Sequence, residues 1–252
     1  MSITSERLAQ INSGQYASSN LAEGLAVDFA ALMAAALPQA QDAALEKMRL
    51  AASWGISKRM VLAGEAVLDA VGRQGLKALA GHQSDTVRGW VCYALAQHHA
   101  LCDPAEPLEN LLDAVRAFAD DAHFGVREWV WLAVRPHIAA QPQRAIDYLA
   151  GWATAPSERV RRFASESTRP RGVWCAHMNI LKENPALGLP VLEPLKADPS
   201  KYVQDSVGNW LNDAAKSQPQ WVRGLCDQWL VQSPCKATEY ICKRALRSLA
   251  GK

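Results

Sequence analysis

The amino-acid sequence predicts an all-α protein, a solenoid of stacked antiparallel helical pairs. Three observations predict it: one short phrase recurs along the chain, apolar residues follow the helical period, and strand signals are nearly missing. The chain has 252 residues, of which 49% are hydrophobic and 21% are charged. This composition is that of an ordinary globular protein, so we expect a folded chain with a sizeable core.

The recurring phrase combines a buried-type valine, a basic or polar residue directly after it, and an aromatic residue close by. It returns at intervals of roughly 35–43 residues, the range of HEAT-type helical pairs. The four copies are residues 84–90 (SDTVRGW), 124–129 (FGVREW), 157–163 (SERVRRF) and 200–204 (SKYVQ). A Ser or Asp before the apolar run in three copies can cap a first helical turn. Each copy therefore predicts a helix start, with valine facing inward and the basic residue facing a common surface.

Amphipathic segments between these phrases predict the partner helices. Residues 108–118 and 142–153 have helical periodicity and are bounded by proline-containing turns. No sustained alternation and no Asn-Gly or Asp-Gly hairpin turn indicates strands. We expect one HEAT-like repeat domain over residues 1–252, with N-terminal capping helices over about 1–56 and repeats over about 57–252. Stacked repeats form an extended concave surface, which suits a duplex or another protein.

Cysteine and histidine spacing gives no sign of a metal or redox site. The six cysteines, Cys92, Cys102, Cys175, Cys226, Cys235 and Cys242, include no C-x-x-C pair. We expect them to be small buried apolar side chains, and we expect neither a metal nor a cofactor. No apolar run reaches the roughly 18–20 residues that span a bilayer, and no signal segment begins the chain. We therefore expect a cytoplasmic protein without membrane contact.

Positive charge is unevenly distributed, although the net charge is only +2. Basic residues concentrate in two segments: Arg159, Arg161, Arg162, Arg169 and Arg171, and, near the C-terminus, Lys236, Lys243, Arg244, Arg247 and Lys252. These residues can be solvated helix faces, or they can form a surface that contacts phosphates.

Four segments resemble one known family. They are residues 21–29 (LAEGLAVDF), 126–129 (VREW), 166–174 (ESTRPRGVW) and 198–213 (DPSKYVQDSVGNWLND), of which the last two are the most specific. They look like the AlkC branch of the AlkC/AlkD family of HEAT-like repeat DNA glycosylases, and the resemblance covers nearly the whole chain. It implies hydrolysis of the N-glycosidic bond of cationic alkylated bases such as 3-methyladenine. It further implies that no metal is used and that the base is not flipped, unlike the usual strategy of glycosylases.

The resemblance also assigns the candidate catalytic residues. Glu128, Glu166 and Asp213 match the family's carboxylates, and Trp174 matches its active-site aromatic residue. Glu128 and Asp213 would flank the sugar cation and a water molecule, Glu166 would assist, and Trp174 would lie against the deoxyribose or lesion. Each carboxylate also has an ordinary structural interpretation, as a helix-start charge, a partner of nearby arginines or a hydrogen-bond acceptor.

Six further residues are candidates for DNA contacts: Arg127, Arg161, Arg162, Arg169, Arg171 and Trp210. The expected partner is double-stranded DNA with alkylated bases, bound by a monomer. Some relatives carry an immunoglobulin-like domain after the repeats; we expect none here and therefore expect the solenoid alone to hold the duplex. Two alternatives stay open: a non-catalytic HEAT-like protein that binds damaged or branched DNA, and a protein-binding scaffold.

Overall fold

The computed structural model describes residues 3–101 and 106–249. Cys102 and Lys252, which entered the sequence analysis, lie outside the described residues. Every regular element within these two ranges is a helix, so the predicted all-α class is confirmed. The chain divides into two compact units, Met1–Val134 and Arg135–Lys252, where the sequence predicts one domain.

The first unit contains seven complete helices among its described residues. They are α1 (Ser5–Asn12), α2 (Leu21–Ala26), α3 (Phe29–Ala36), α4 (Asp42–Leu50), α5 (Ile56–Leu79), α6 (Asp85–Leu101) and α7 (Leu108–Ala119). The division between the units falls within α8 (Phe124–Ala140). Helices α5 and α6 pack at very short range, because a Cβ on Gly64 would lie 2.5 Å from Cβ of Tyr93. Trp90 fills the core beside Phe29, with ring centroids 5.2 Å apart.

Among its described residues, the second unit contains seven further complete α-helices. They are α9 (Pro142–Trp152), α10 (Glu158–Ser167), α11 (Asn179–Glu183), α12 (Leu189–Leu192), α13 (Lys201–Ala215), α14 (Pro219–Gln232) and α15 (Lys236–Leu246), with 3-10 turns at Pro185–Gly188 and Glu193–Leu195. Helix α13 packs against both α10 and α15. This central position lets side chains of α13 meet those of two neighbours.

The recurring phrases open helices as the sequence predicts. Helices α6, α8, α10 and α13 begin at or next to them, and the four valines are buried. The hydroxyl oxygens of Ser84 and Ser157 accept bonds from first-turn amides at 3.4 and 3.2 Å. Ser200 does not cap its helix, because its hydroxyl donates instead to the Glu158 carboxylate. The helix starts are confirmed, and the serine caps hold for two copies.

The residue after each valine folds back on its own turn instead of projecting toward a common surface. Its side chain donates to backbone carbonyls five or six residues earlier: Arg88 to His82 and Gln83, Arg127 to Asp121 and Ala122, Arg161 to Ala155 and Pro156, and Gln204 to Asp198. Arg88 also pairs with Asp121 of the next repeat, and Arg161 pairs with Asp198. These bonds satisfy turn carbonyls that a helical ladder leaves unpaired.

Candidate functional site

Arg169 lies between two buried carboxylates of the second unit. Its Nη1 donates to Glu166 Oε1 at 2.7 Å, and its Nε donates to Asp213 Oδ2 at 2.9 Å. Glu166 is in the last turn of α10, and Asp213 is on α13, which packs beside it. The structure therefore brings together three of the predicted residues, from the two segments 166–174 and 198–213 that resemble the family.

Glu166 uses both of its carboxylate oxygens within the protein. Oε2 accepts a bond from the Ser206 hydroxyl at 2.7 Å and lies 3.6 Å from Nη2 of Arg162. Burial would raise the pKa of Glu166, but the charges of Arg162 and Arg169 and the Ser206 bond outweigh it and lower the pKa. Glu166 is thus an ionised carboxylate that orients Arg169.

Asp213 is held by one oxygen and not by the other. Both Nε and Nη2 of Arg169 contact Oδ2. In the part of the chain that the structure describes, Oδ1 contacts only Nζ of Lys216, at 3.4 Å. The residue is 3% exposed. A carboxylate with a fixed orientation and one lightly bonded oxygen can act on a neighbouring cation or water.

Trp174 is carried by the loop over residues 168–178, which connects α10 to α11. The Met178 amide donates to the Pro170 carbonyl at 3.0 Å and closes this loop. Trp174 is 52% exposed and has a φ of +61°, a left-handed conformation that costs a non-glycine residue about 1 kcal/mol. The loop therefore presents a large aromatic face outward, at some conformational cost.

Arg135 anchors that loop, and the sequence analysis missed it. Its guanidinium donates to three backbone carbonyls, those of Ser167 at 2.9 Å, Arg169 at 2.5 Å and Ala176 at 3.2 Å. Only 2% of Arg135 is exposed. An arginine in the apolar run of residues 129–138 is the one sequence signal that could have drawn attention to it. Ser206, which bonds Glu166, gave no such signal.

Glu128 lies on α8 in the first unit, where it is partly buried. Its Oε2 accepts a hydrogen bond from the indole nitrogen of Trp131 at 2.8 Å. A carboxylate that accepts this bond is fixed in orientation, and its catalytic role stays a prediction.

The predicted DNA-contacting arginines differ in how fully the protein already uses them. Arg161 makes a two-pronged pair with Asp198, at 2.6 and 3.1 Å, and Arg162 lies 4.9 Å over the Tyr202 ring. Arg171 donates to the Asp213 carbonyl at 3.2 Å and to the Ser217 hydroxyl at 2.7 Å. Across residues 3–101 and 106–249 it pairs with no carboxylate, so its charge is the least compensated of the three.

Trp210 is a core residue in this structure. It is fully buried, its indole nitrogen donates to the Thr168 carbonyl at 3.0 Å, and its ring contacts Gly188 so closely that a Cβ there would lie 2.4 Å away. The expectation of a DNA contact is corrected here, because the side chain presents no surface to a duplex.

The described residues contain no group of three or more His, Cys, Asp or Glu side chains that could hold a metal ion. Within the same residues, no helix has the length and apolarity needed to cross a bilayer.

The helical pairs are those of a HEAT-like repeat fold, and comparison with known proteins supports the resemblance to the AlkC/AlkD family of DNA glycosylases. Residues 126–248 match the family described as DNA alkylation repair enzyme. This range contains all four candidate catalytic residues.

Individual proteins are also similar to this chain. The chain is similar to Pseudomonas fluorescens alkylpurine DNA glycosylase AlkC bound to DNA containing an abasic site analog, with a TM-score of 0.70 and 29% identity over 90% of this chain and 62% of AlkC. It is 37% identical over 140 residues to the uncharacterized protein YhaZ of Bacillus subtilis (strain 168), which is 56% of this chain and 38% of YhaZ. The chain thus spans less than two thirds of either relative. The structure of smu.31 from Streptococcus mutans UA159 shares the fold, with a TM-score of 0.60 and 21% identity over 80% of this chain and 96% of smu.31.

Proposed function

We propose that this chain is a DNA glycosylase that hydrolyses the N-glycosidic bond of cationic alkylated bases, such as 3-methyladenine, in double-stranded DNA. The observation that carries the proposal is the state of Asp213: Arg169 fixes its Oδ2, and Oδ1 is left with one long contact in the described structure. The similarity to AlkC, an alkylpurine DNA glycosylase, supports the same conclusion.

The chemistry requires few groups from the protein. An N3- or N7-alkylated purine already bears a positive charge and leaves as a neutral base, so no general acid is needed. As the bond breaks, positive charge moves to the deoxyribose. A preorganised carboxylate stabilises that charge without reorganising at the moment of reaction, which lowers the barrier.

Asp213 is the residue suited to this task, through its Oδ1. In this mechanism Oδ1 faces the sugar cation or holds the attacking water. Glu128 is the second carboxylate proposed for catalysis. Glu166 assists indirectly, since it fixes the far side of the Arg169 guanidinium that orients Asp213.

Trp174 supplies the contact to the lesion. Its half-exposed ring can lie against the deoxyribose or the cationic base, whose charge favours an aromatic face. Because the ring is offered outward from a surface loop, a base can be engaged without being drawn into a pocket.

The experiment that tests the function is incubation of the protein with methylated duplex DNA, followed by chromatography and mass spectrometry of the released bases. We expect release of 3-methyladenine and an abasic site in the DNA. A protein that binds the duplex and releases no base would identify a non-catalytic binder. Absence of both binding and release would favour the scaffold.

A further inference from the structure

Two arginines near the C-terminus converge on one neutral oxygen. Arg244, in the last turn of α15, donates its Nε to Oδ1 of Asn209 on α13 at 3.0 Å. Arg247, directly after α15, donates its Nη2 to the same oxygen, also at 3.0 Å. Two like charges are thus held together by an amide that neutralises neither.

Carboxylates near the pair do not balance it. Asp205 Oδ1 lies 3.4 Å from Nη1 of Arg244, but the same carboxylate accepts closer bonds from Lys201 at 2.9 Å and Tyr240 at 2.6 Å. Arg247 pairs with no carboxylate in residues 3–101 and 106–249; its other bond goes to the Arg244 carbonyl at 2.7 Å. Burial and the charge of Arg244 lower the pKa of Arg247, which agrees with an uncompensated pair.

The helix dipole explains only part of this arrangement. Cations are favoured at the C-terminal end of a helix, and α15 ends between Arg244 and Arg247. The dipole does not require both side chains to reach across to α13. Gly208 makes that reach possible for Arg244, because a Cβ at this position would lie 2.8–3.0 Å from the arginine stem.

The pair lies next to the candidate catalytic carboxylate. Asn209 precedes Asp213 by four residues on α13, so the two side chains occupy the same helix face one turn apart. Asp213 and Arg169 both contribute electrostatically at Arg247.

We propose that Arg244 and Arg247, spaced by Asn209, bind a phosphate of the DNA backbone beside the nucleotide whose base is released. Guanidinium groups donate several bonds in one plane and match the oxygens of a phosphodiester. An enzyme that leaves its target base in the stack must fix the sugar through the backbone, and this pair does so one helical turn from Asp213. The identity of the partner rests on the proposed function.

Asn209→Asp separates this role from a structural one. Aspartate has the size of asparagine and would place a carboxylate under both guanidinium groups, which should maintain or raise the melting temperature. The same charge neutralises the phosphate site. Binding to a duplex that contains an abasic-site analogue should therefore weaken roughly tenfold, and the slope of log K against log salt should become less negative by about one to two.

Asn110→Asp, at an exposed position of α7, is the matched control for the change in net charge. If Asn209 serves only to connect α15 to α13, Asn209→Asp and Asn110→Asp bind DNA with the same affinity, and the proposal fails. Arg247→Gln, at an exposed position, should reduce the salt slope by about one. An unchanged slope in Arg247→Gln, or no DNA binding by the wild-type protein, would also overturn it. If the wild-type protein releases bases but the variants keep its slope of log K against log salt, the phosphate site is rejected and the glycosylase proposal stands. If the variants change that slope but the wild-type protein releases no base, the glycosylase proposal is rejected and the phosphate site stands.

Discussion

Arg169 places two of its nitrogens, Nε and Nη2, at 2.9 and 2.8 Å from a single oxygen of Asp213. This arrangement fixes the plane of the carboxylate. Its other oxygen, Oδ1, is the atom proposed to face the sugar cation or the attacking water. It also means that the charge proposed for catalysis is part of a buried ion pair, so mutations there affect stability and rate together.

Asp213→Asn should lower the single-turnover excision rate roughly 10- to 1000-fold, because the charge that stabilises the sugar cation is lost. It should also lower the free energy of unfolding by about 3 kcal/mol, since Arg169 loses a buried partner. DNA affinity should not fall, because loss of a negative charge does not weaken the attraction between the protein and the phosphates. The rate is measured at saturating enzyme, below the melting temperature of the variant. A wild-type rate in a folded Asp213→Asn protein would reject the mechanism.

Glu128→Gln tests charge with little structural cost. The amide oxygen of glutamine can still accept the bond from the Trp131 indole, so the melting temperature should stay close to that of the wild type. The excision rate should fall by roughly 10- to 1000-fold if Glu128 acts on the sugar cation. Single-turnover kinetics paired with a binding titration decide the point, and an unaffected rate would confine Glu128 to orienting Trp131.

Glu166 should make the protein sensitive to acid. Its folded-state pKa is lowered, so its ionised form stabilises the protein above the ordinary glutamate pKa, and this contribution is lost as the pH falls through the folded-state value. The free energy of unfolding of the wild type should therefore decrease below about pH 5. Glu166→Gln should have a lower free energy of unfolding at neutral pH and a shallower dependence on pH in that range. Denaturant titrations from pH 7 down to pH 3 measure both, and equal slopes would contradict the assignment.

Trp174→Ala should separate rate from stability. The side chain is half exposed, so its loss should change the free energy of unfolding by less than about 1 kcal/mol. Loss of the ring from the lesion should cost about 1–3 kcal/mol of the stacking or cation contact, seen as a slower excision rate. Trp54→Ala is the matched control, since Trp54 is 49% exposed in the first unit. Equal rates in the two variants would remove Trp174 from the site.

Arg171 and Arg161 should respond differently to alanine. Arg171→Ala removes a charge without a carboxylate partner among the described residues, so DNA binding should weaken and the salt slope should change by about one. Arg161→Ala leaves the buried Asp198 unpaired and should lower the free energy of unfolding by about 2–3 kcal/mol. Fluorescence-anisotropy titrations and thermal melts of both variants test this. A larger loss of DNA affinity in Arg161→Ala would reverse the assignment.

The fold was predictable because it depends on local signals that repeat. Each valine-containing phrase opens a helix, and the predicted partner helices at 108–118 and 142–153 correspond to α7 (Leu108–Ala119) and α9 (Pro142–Trp152). Helical period and turn residues determine such elements with little help from the rest of the chain. The roles of Arg88, Arg127 and Arg161 could not be predicted in the same way. An arginine that bonds carbonyls of its own turn and an arginine that faces solvent stand at the same place in the repeating phrase.

The site was predictable in its residue types but not in its connections. The resemblance named Glu166 and Asp213, whereas the bridging geometry of Arg169 depends on how α10 packs against α13. The prediction for Trp210 was wrong for a related reason. The sequence alone does not distinguish an aromatic residue that contacts DNA from one that packs in the core. Arg135 was missed because its partners are backbone carbonyls, which leave no trace in the sequence.

That last property has a consequence for how the loop over residues 168–178 can change. Every amino acid carries the same carbonyl group, so the three bonds from Arg135 do not by themselves require particular side chains in the loop. Gly172 is an exception, because a Cβ there would lie 2.3 Å from Sγ of Cys175 and 3.3 Å from the guanidinium carbon of Arg135. Exposed positions such as Val173 can be exchanged while the three bonds persist. If Trp174 contacts the lesion as proposed, substitutions at the exposed positions of this loop would change lesion preference while the helices that carry the loop stay the same.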